Sequence, residues 1–218
     1  AGTMCEGFEG NAVWDFGSRF DIDYAPAIIK GHQLCSEYGL DTDNASCVIA
    51  WAFECYEKGI LTARDTDGLK LRWGDHETVM ELLKKIAYRE GFGDVLAEGS
   101  YRASQIVSRG SEAYAICMKG QDLKEPMRAL KGWGLGVAVA LRGGGHTTGS
   151  IQTEFWRLPR EVGRRMWDAP EAGDPRSYRD KARVVVYIER LTAVLNSLGI
   201  CLFTSVRTSI DLLDPEDY

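Results

Sequence analysis

The sequence predicts a mainly α fold, and three observations lead to that prediction. Apolar residues recur at helical spacing along most of the chain, and glycine follows several of these stretches where a helix would end. Only residues 114–120 favour a short extended segment. With 218 residues, 44% of them hydrophobic, the chain is long enough for one sizeable core or two small ones.

The composition excludes several classes of protein. A net charge of -6 and a pI near 5.2 argue against nucleic acid or an anionic membrane as a partner. There is no apolar run of 18 residues and no signal peptide, so we expect a cytoplasmic protein. The six scattered cysteines do not suggest a disulfide scaffold and indicate reduced thiols, one or two of which would serve as ligands.

The first part of the chain predicts a loop followed by two helices. Residues 4–21 are rich in glycine and aromatic residues, which favours a packed loop. A helix capped by Asp23 should run to Tyr38 and stop at Gly39. The next helix should start at Asp43 or Asn44. That start places Cys47 in the first turn, where the helix dipole would lower its pKa, so Cys47 is either a thiolate ligand or a packed thiol.

The middle of the chain predicts further helices. Asp75 caps a strongly amphipathic helix that continues to Arg89, and residues 91–94 turn into another helix that ends near Ser108. Residues 132–141 are apolar and glycine-spaced, which favours close packing against a neighbour or a cofactor.

The last part of the chain predicts a surface segment and a final helix. Residues 150–176 are rich in Arg, Pro and Asp and indicate a surface excursion that faces substrate or a partner. An apolar helix from Arg183 to Leu198 should then end at Gly199.

Two similar helix ends and one glycine run carry the candidate chemistry. S-E-Y-G-L-D-T at 36–42 and N-S-L-G-I-C-L at 196–202 each place a ligand-capable side chain, Asp41 or Cys201, two residues after a helix-stopping glycine. Two such ends would hold one cofactor from two sides. In R-G-G-G-H at 142–146, the glycines let the backbone approach another group closely, and His146 is either a functional residue or a satisfied core histidine.

These motifs resemble the aldehyde ferredoxin oxidoreductase family, as do W-G-D at 73–75, R-E-G-F-G-D-V-L-A-E-G-S-Y-R at 89–102 and K-G-Q-D-L at 119–123. The resemblance covers nearly the whole chain in the family's order and is weakest from Thr153 to Arg176. It implies a partial helical middle domain over residues 1–115 and a partial helical C-terminal domain over residues 116–218. Family chains are much longer and begin with a β domain, so the resemblance also implies an internal piece that lacks that domain.

The resemblance further implies a tungsten bis-pterin, with molybdenum as the alternative metal, and a [4Fe-4S] cluster. Cys201 matches the fourth cluster ligand, and the other three would lie upstream of Ala1. A carboxylate such as Asp41 suits the N–H donors of a pterin ring. The implied cofactor contacts are Ser36, Asp41, Thr42, Arg142, Asn196 and Ile200.

The implied catalytic residues are His146, Glu9 and Asn11. Glu9 matches the first glutamate of a family motif, whereas Asn11 stands where the family has an active-site glutamate. This departure means that Glu9 or another base would have to assist His146.

The leading function is oxidation of an aldehyde to a carboxylic acid by a homo-oligomer, with electrons passed through the cluster to ferredoxin or another electron-transfer subunit. Asn11 and Lys30 replace acidic residues of the family, which favours an alternative: a reductive member that acts on an aromatic acyl-CoA thioester. Ser36 and Asn196 lack the charge of the family's aspartates, which favours a third reading, a non-catalytic helical interaction module.

Overall fold

A computed structural model describes residues 5, 7, 9–123 and 127–201, and it confirms the mainly α prediction. The described residues form nine α-helices and one antiparallel hairpin, in which β1 (Cys117–Met118) pairs with β2 (Gln121–Asp122). The chain divides into two compact units, Ala1–Lys124 and Glu125–Tyr218. The domain bounds 1–115 and 116–218 stay a prediction. None of the described helices has the length and apolar character that crossing a membrane requires.

The first unit contains six helices within its described residues. They are α1 (Asn11–Val13), α2 (Ala25–Tyr38), α3 (Thr42–Glu57), α4 (His76–Tyr88), α5 (Phe92–Leu96) and α6 (Gly99–Val107). A π-helical turn, Trp14–Ser18, follows α1, and a 3-10 turn, Ser111–Tyr114, follows α6. Their apolar faces form one core, whose largest members include Phe16, Phe20, Trp51, Phe53, Leu82, Leu83 and Phe92.

Two predictions for this unit need correction. Residues 4–21 are not a loop throughout, because residues 11–18 are helical. Phe16 and Phe20, four residues apart, are fully buried on one side of this segment, and Phe16 packs so closely on Gly31 that a Cβ there would lie 2.6 Å from its ring. The single helix predicted up to Ser108 is two helices, α5 and α6, because Gly99 has a left-handed φ of 78°.

The helix starts agree only in part with the sequence prediction. Asp75 caps α4 as predicted, since its Oδ1 accepts a hydrogen bond of 3.1 Å from the backbone N–H of Thr78. Tyr24, and not Asp23, precedes α2. Asp41, and not Asp43 or Asn44, caps α3, which therefore starts earlier than predicted.

The second unit contains α7 (Lys131–Val139), a 3-10 turn (Gln152–Glu154), α8 (Arg160–Trp167) and α9 (Lys181–Ser197) among its described residues. Gly136 allows close packing of α7, as predicted, because a Cβ there would lie 2.6 Å from the Gly149 carbonyl oxygen. The prediction of a surface excursion at 150–176 is wrong, since this segment supplies Ile151, Ala169 and Ala172 to the core that α9 completes with Val184, Val185 and Ile188.

Candidate functional site

The segment Arg142–His146 forms a tight loop in which two of the three glycines have positive φ angles. Gly143 and Gly144 have positive φ angles of 77° and 57°, which glycine adopts without steric cost. The N–H of Gly145 donates to the Gly143 carbonyl at 2.6 Å, and a Cβ on Gly145 would lie 2.7 Å from Nη2 of Arg142. The glycine run thus serves the fold of the loop, and it allows the Arg142 guanidinium to lie over the backbone next to His146.

The imidazole of His146 is half-buried and stacks on the indole of Trp133. Their ring centroids are 5.1 Å apart and their planes differ by 20°. Trp133 is held in turn by Phe155, whose ring meets it edge-on at 4.8 Å, and by Ser150, whose Oγ donates to its carbonyl at 3.2 Å. The histidine ring therefore packs on a tryptophan that residues after the loop hold in place.

Glu154, to which the sequence assigned no role, anchors the start of α7. Its two carboxylate oxygens accept hydrogen bonds of 2.9 Å from the N–H groups of Gly132 and Trp133. Those N–H groups are unpaired at a helix start, and the helix dipole also favours a negative charge there. The sequence did not indicate this role, because a glutamate in a charged, proline-rich segment is expected to be exposed on the surface.

Lys181 neutralises the buried Glu154 carboxylate. Its Nζ lies 3.0 Å from Oε1 of Glu154, and both side chains are almost fully buried. The ammonium also donates to the carbonyl oxygens of Glu171, Ala172 and Asp174 at 2.8, 3.0 and 2.7 Å. Burial of a charge is tolerated when its hydrogen-bonding capacity is filled in this way.

The two helix ends that the sequence singled out have the same backbone geometry. Gly39 and Gly199 have φ angles of 68° and 69°. After them, the N–H of Leu40 donates to the Cys35 carbonyl at 2.8 Å, and the N–H of Ile200 donates to the Leu195 carbonyl at 3.0 Å. This is the Schellman pattern, and the predicted glycine stops are confirmed. A Cβ on either glycine would meet no described atom within 4 Å, so the described residues leave the space at each glycine open.

The three candidate cofactor contacts of the first unit lie around the end of α2. Asp41 is exposed, and its Oδ1 accepts hydrogen bonds of 2.8 and 2.9 Å from the backbone and side-chain N–H groups of Asn44. Thr42 is the first residue of α3. The hydroxyl of Ser36 donates to the His32 carbonyl at 3.2 Å. Asp41 therefore has a structural role as a helix cap in addition to its predicted role.

The candidates of the second unit include Asn196, Ile200 and Cys201, which are exposed at the end of α9. Arg142 lies in the same unit, in the loop before His146. That the end of α2 and the end of α9 face one cofactor stays a prediction.

Glu9 and Asn11 are exposed neighbours at the start of α1. Oε2 of Glu9 accepts a hydrogen bond of 2.6 Å from the backbone N–H of Asn11, and the Glu9 carbonyl accepts one of 3.0 Å from Ala12. These two residues belong to the first unit and His146 belongs to the second, so a shared catalytic role for the three also stays a prediction.

Cys47 is not in the environment that the sequence predicted. Because α3 starts at Thr42, Cys47 lies in the second turn, away from the unpaired N–H groups. Burial raises the pKa of its thiol to about 12, and the neighbouring Arg19 opposes this effect only in part. The prediction of a lowered pKa is therefore wrong, and Cys47 has the environment of a packed thiol.

Sequence reasoning also missed a buried polar cluster in the first unit. Oδ1 of Asp15, which is fully buried, accepts hydrogen bonds from Ser46 Oγ at 3.2 Å and Arg19 Nη2 at 3.3 Å. Burial raises the pKa of Asp122, whose Oδ2 lies 3.3 Å from the N–H of Ser100. A single aspartate among aromatic residues gives no periodic signal in the sequence.

The side chains of this chain that could ligate a metal suit a centre whose other ligands come from elsewhere better than a centre formed by the described residues alone. Across the described residues, no three His, Cys, Asp or Glu side chains come together in a way that would hold a metal ion. Cys201 is exposed at a geometrically defined helix end, which suits one thiolate of a four-cysteine cluster. The open glycine turns suit a pterin that approaches the backbone.

Comparisons with known proteins concern the family and the fold of this chain. The family model described as aldehyde ferredoxin oxidoreductase, domains 2 & 3, matches residues 1–218. The tungsten-containing aldehyde ferredoxin oxidoreductase of Pyrococcus furiosus is 36% identical over 210 residues, which are 94% of this chain and 33% of that protein. The WOR-like subunit of an aliphatic sulfonate oxidoreductase from the same organism is 34% identical over 141 residues, or 61% of this chain and 22% of that protein.

A solved structure shares the fold. One chain of the active site complex BamBC of benzoyl coenzyme A reductase, in complex with 1,5 dienoyl-CoA, matches 88% of this chain and 33% of its own length, with a TM-score of 0.67 and 24% identity. The present chain thus spans about a third of the length of these proteins or less.

Proposed function

Because the chain belongs to the aldehyde ferredoxin oxidoreductase family, we propose that it supplies the helical part of a tungsten-dependent enzyme. That enzyme oxidises an aldehyde to a carboxylic acid and passes the electrons through a [4Fe-4S] cluster to ferredoxin or another electron-transfer subunit. The relative that is 36% identical is named for this activity. The homo-oligomeric state is part of the same proposal.

The observation that carries the proposal is the orientation of His146. Its ring stacks on Trp133 at 5.1 Å and follows a loop in which Gly143 and Gly144 have positive φ angles. A histidine held in one orientation takes a proton from water or donates a hydrogen bond to a substrate carbonyl more effectively than a freely rotating one. We assign His146 this proton-handling role, with Glu9 as the assisting base because Asn11 has no basic side chain.

The two helix ends have binding roles in this proposal. Asp41 accepts hydrogen bonds from the pterin, with Ser36 and Thr42 beside it, while Arg142, Asn196 and Ile200 contact the cofactor from the second unit. Cys201 supplies one thiolate to the cluster. When bound, the tungsten pterin supplies the two-electron chemistry and the cluster transfers single electrons.

Two other readings have weaker support. A reductive enzyme for aromatic acyl-CoA thioesters has the benzoyl coenzyme A reductase complex as a structural neighbour, but 24% identity supports a common fold and not a common substrate. A non-catalytic module has its support only in the uncharged Ser36 and Asn196, and both lie at well-formed helix ends.

Turnover measurements test the assignment of His146. In the full-length protein, prepared anaerobically, we expect oxidation of members of an aldehyde panel with a viologen acceptor and no reduction of aryl-CoA thioesters. His146→Ala should abolish turnover and leave the tungsten content unchanged. The control, His76→Ala, removes a ring that contacts Tyr24 in the first unit, and it should keep normal turnover. Normal rates in His146→Ala would contradict the proposal.

Paramagnetic resonance tests the ligand assignment. Cys201→Ala should remove the cluster signal of the reduced enzyme, while Cys117→Ala, which changes a half-buried thiol in β1, should keep it. An intact signal in Cys201→Ala would refute this part of the proposal.

A further inference from the structure

The second unit contains an open cavity whose wall is rich in arginine. The cavity has a volume of about 550 Å³ and is lined by Arg157, Leu158, Arg160, Pro170, Gly173, Asp174, Pro175 and Arg176. None of these residues belongs to the cofactor contacts or to the His146 loop. The cavity volume lies in the range of about 300–1,000 Å³ that is typical of small-molecule sites.

The backbone that forms the cavity is fixed by the core beneath it. Gly173 packs directly on Leu158, since a Cβ on Gly173 would lie 2.4 Å from the Leu158 backbone nitrogen. The N–H of Leu158 donates to the Thr153 carbonyl at 3.0 Å, and the buried Lys181 ammonium donates to the Asp174 carbonyl at 2.7 Å. The arginines therefore stand on a rigid support that does not need to be ordered when a ligand binds.

The charges on the cavity wall are unbalanced. Among the residues that the structure describes, neither Arg157 nor Arg176 has a carboxylate within ion-pair distance, and Arg160 has only a long contact of 3.6 Å between Nη2 and Glu171 Oε1. Asp174 is the acidic member of the lining, and its Oδ1 is already engaged by the backbone N–H of Arg176 at 3.0 Å. The lining thus contains three arginines and one aspartate, and Glu171 is the one other carboxylate within ion-pair distance of these arginines among the described residues.

The backbone of Arg157 adds a second indication. Its φ is 49°, in the left-handed region that residues other than glycine, asparagine and aspartate rarely adopt. Such conformations cost free energy and concentrate at functional positions. The fold holds this arginine at the cavity although a glycine or asparagine would fit the backbone better.

We propose that this cavity binds a small anion with several negative charges, a ligand that carries phosphate or carboxylate groups, through Arg157, Arg160 and Arg176. The planar guanidinium matches both groups in a two-pronged geometry. The apolar floor formed by Leu158, Pro170 and Pro175 would contact the uncharged part of such a ligand. This inference does not rest on the proposed redox function.

Calorimetry of the full-length protein at low ionic strength tests the site, with pyrophosphate as the phosphate probe and citrate as the carboxylate probe. We expect one site per chain for at least one probe, and the stronger probe identifies the chemical group. Arg176→Gln and Arg157→Asn should each weaken binding at least about tenfold, because each removes a charge-assisted contact. Asparagine is chosen at 157 because it tolerates a positive φ.

Arg164→Gln is the matched control, since Arg164 lies on α8 outside the cavity lining and pairs with Glu161 at 2.8 Å. It should change the affinity less than twofold. Absence of binding for both probes, or an equal loss in Arg164→Gln, would overturn the proposal. Should Arg157→Asn fail to fold, Arg176→Gln decides alone, because Arg176 is exposed. Calorimetry measures binding and not turnover. Its result would therefore be the same if the proposed redox function were wrong.

Discussion

The Asp122 carboxyl lies in the interior of the first unit, where burial raises its pKa and the N–H of Ser100 and the charge of Arg19 oppose the rise. A raised folded-state pKa means that the neutral acid is favoured, so its stabilising effect is lost as the pH rises through that pKa. We expect Asp122→Asn to raise the melting temperature by a few degrees at pH 7 and to give no gain below about pH 4, where the acid is neutral in both states. Melting curves at the two pH values check this.

Asp65 provides a control of opposite sign. Hydrogen bonds from the Arg109 side chain and from Thr62 lower its pKa to about 2. Its stabilising effect is present above the unfolded-state pKa of about 3.9 and is lost as the pH falls toward 2. Asp65→Asn should therefore lower the melting temperature slightly at pH 7, since Asp65 and Arg109 form a partly exposed ion pair. If Asp122→Asn and Asp65→Asn changed the melting temperature at pH 7 in the same direction, the opposite pKa shifts of the two carboxyl groups would be contradicted.

Single residues differ in how well their sequence context predicts them. The loop before His146 is predictable from its glycines, because Gly143 and Gly144 have positive φ angles. The environment of Cys47 is not predictable, because it depends on where α3 starts and on burial by residues far away in the sequence. Glu154 was missed for the same reason, since its partner Lys181 is 27 positions away (181 minus 154).

At the helix ends, replacing Gly39 or Gly199 by alanine should reduce the free energy of unfolding, because both glycines have a positive φ. A Cβ at either position meets no described atom within 4 Å, so the effect of alanine comes from the positive φ alone. Gly39→Ala and Gly199→Ala should each destabilise the protein by about 1 kcal/mol. Gly10→Ala is the control, because Gly10 has a φ of -58° and equally open surroundings. Equal effects at all three positions in urea unfolding would refute the helix-end geometry.

The start of α7 depends on the buried pair of Glu154 and Lys181. Glu154→Gln or Lys181→Met alone leaves a buried charge without its partner, and we expect a loss of about 3–5 kcal/mol for each. The double variant should lose clearly less than the sum, because neither charge then remains buried. Additive losses in urea unfolding would show that the pair does not act as a unit.

The sequence predicted best those helices in which the apolar periodicity and the residues at the helix ends indicate the same boundaries. In α4, apolar periodicity and the Asp75 cap indicate the same helix, and in α9 the apolar run ends at a glycine. Residues 150–176 were misassigned because their composition is that of a surface, while the few apolar residues among them are the ones that face the core. Composition averages over a segment, whereas packing depends on individual positions.

For the molecule as a whole, the sequence motifs predicted the family and the mainly α class, whereas the domain bounds 1–115 and 116–218 stay a prediction. The hairpin of β1 and β2 lies beyond residue 115 and yet belongs to the first compact unit, because Asp122 bonds to Ser100 in α6. Such a contact between distant residues leaves no periodic signal. The division between Lys124 and Glu125 became evident only from the contacts.

The two units have separate cores with no residue in common, one that includes Leu83 and Ile86 and one that includes Ile188. Leu83→Ala and Ile188→Ala each remove a buried aliphatic side chain and should each cost about 2–5 kcal/mol. Because their clusters differ, the double variant should lose the sum of the two within about 0.5 kcal/mol. Leu83→Ala combined with Ile86→Ala, within one core, should deviate by more, since neighbouring side chains relax into the same space. An equally large deviation for the pair across the units, measured by urea unfolding, would mean that the two cores respond as one.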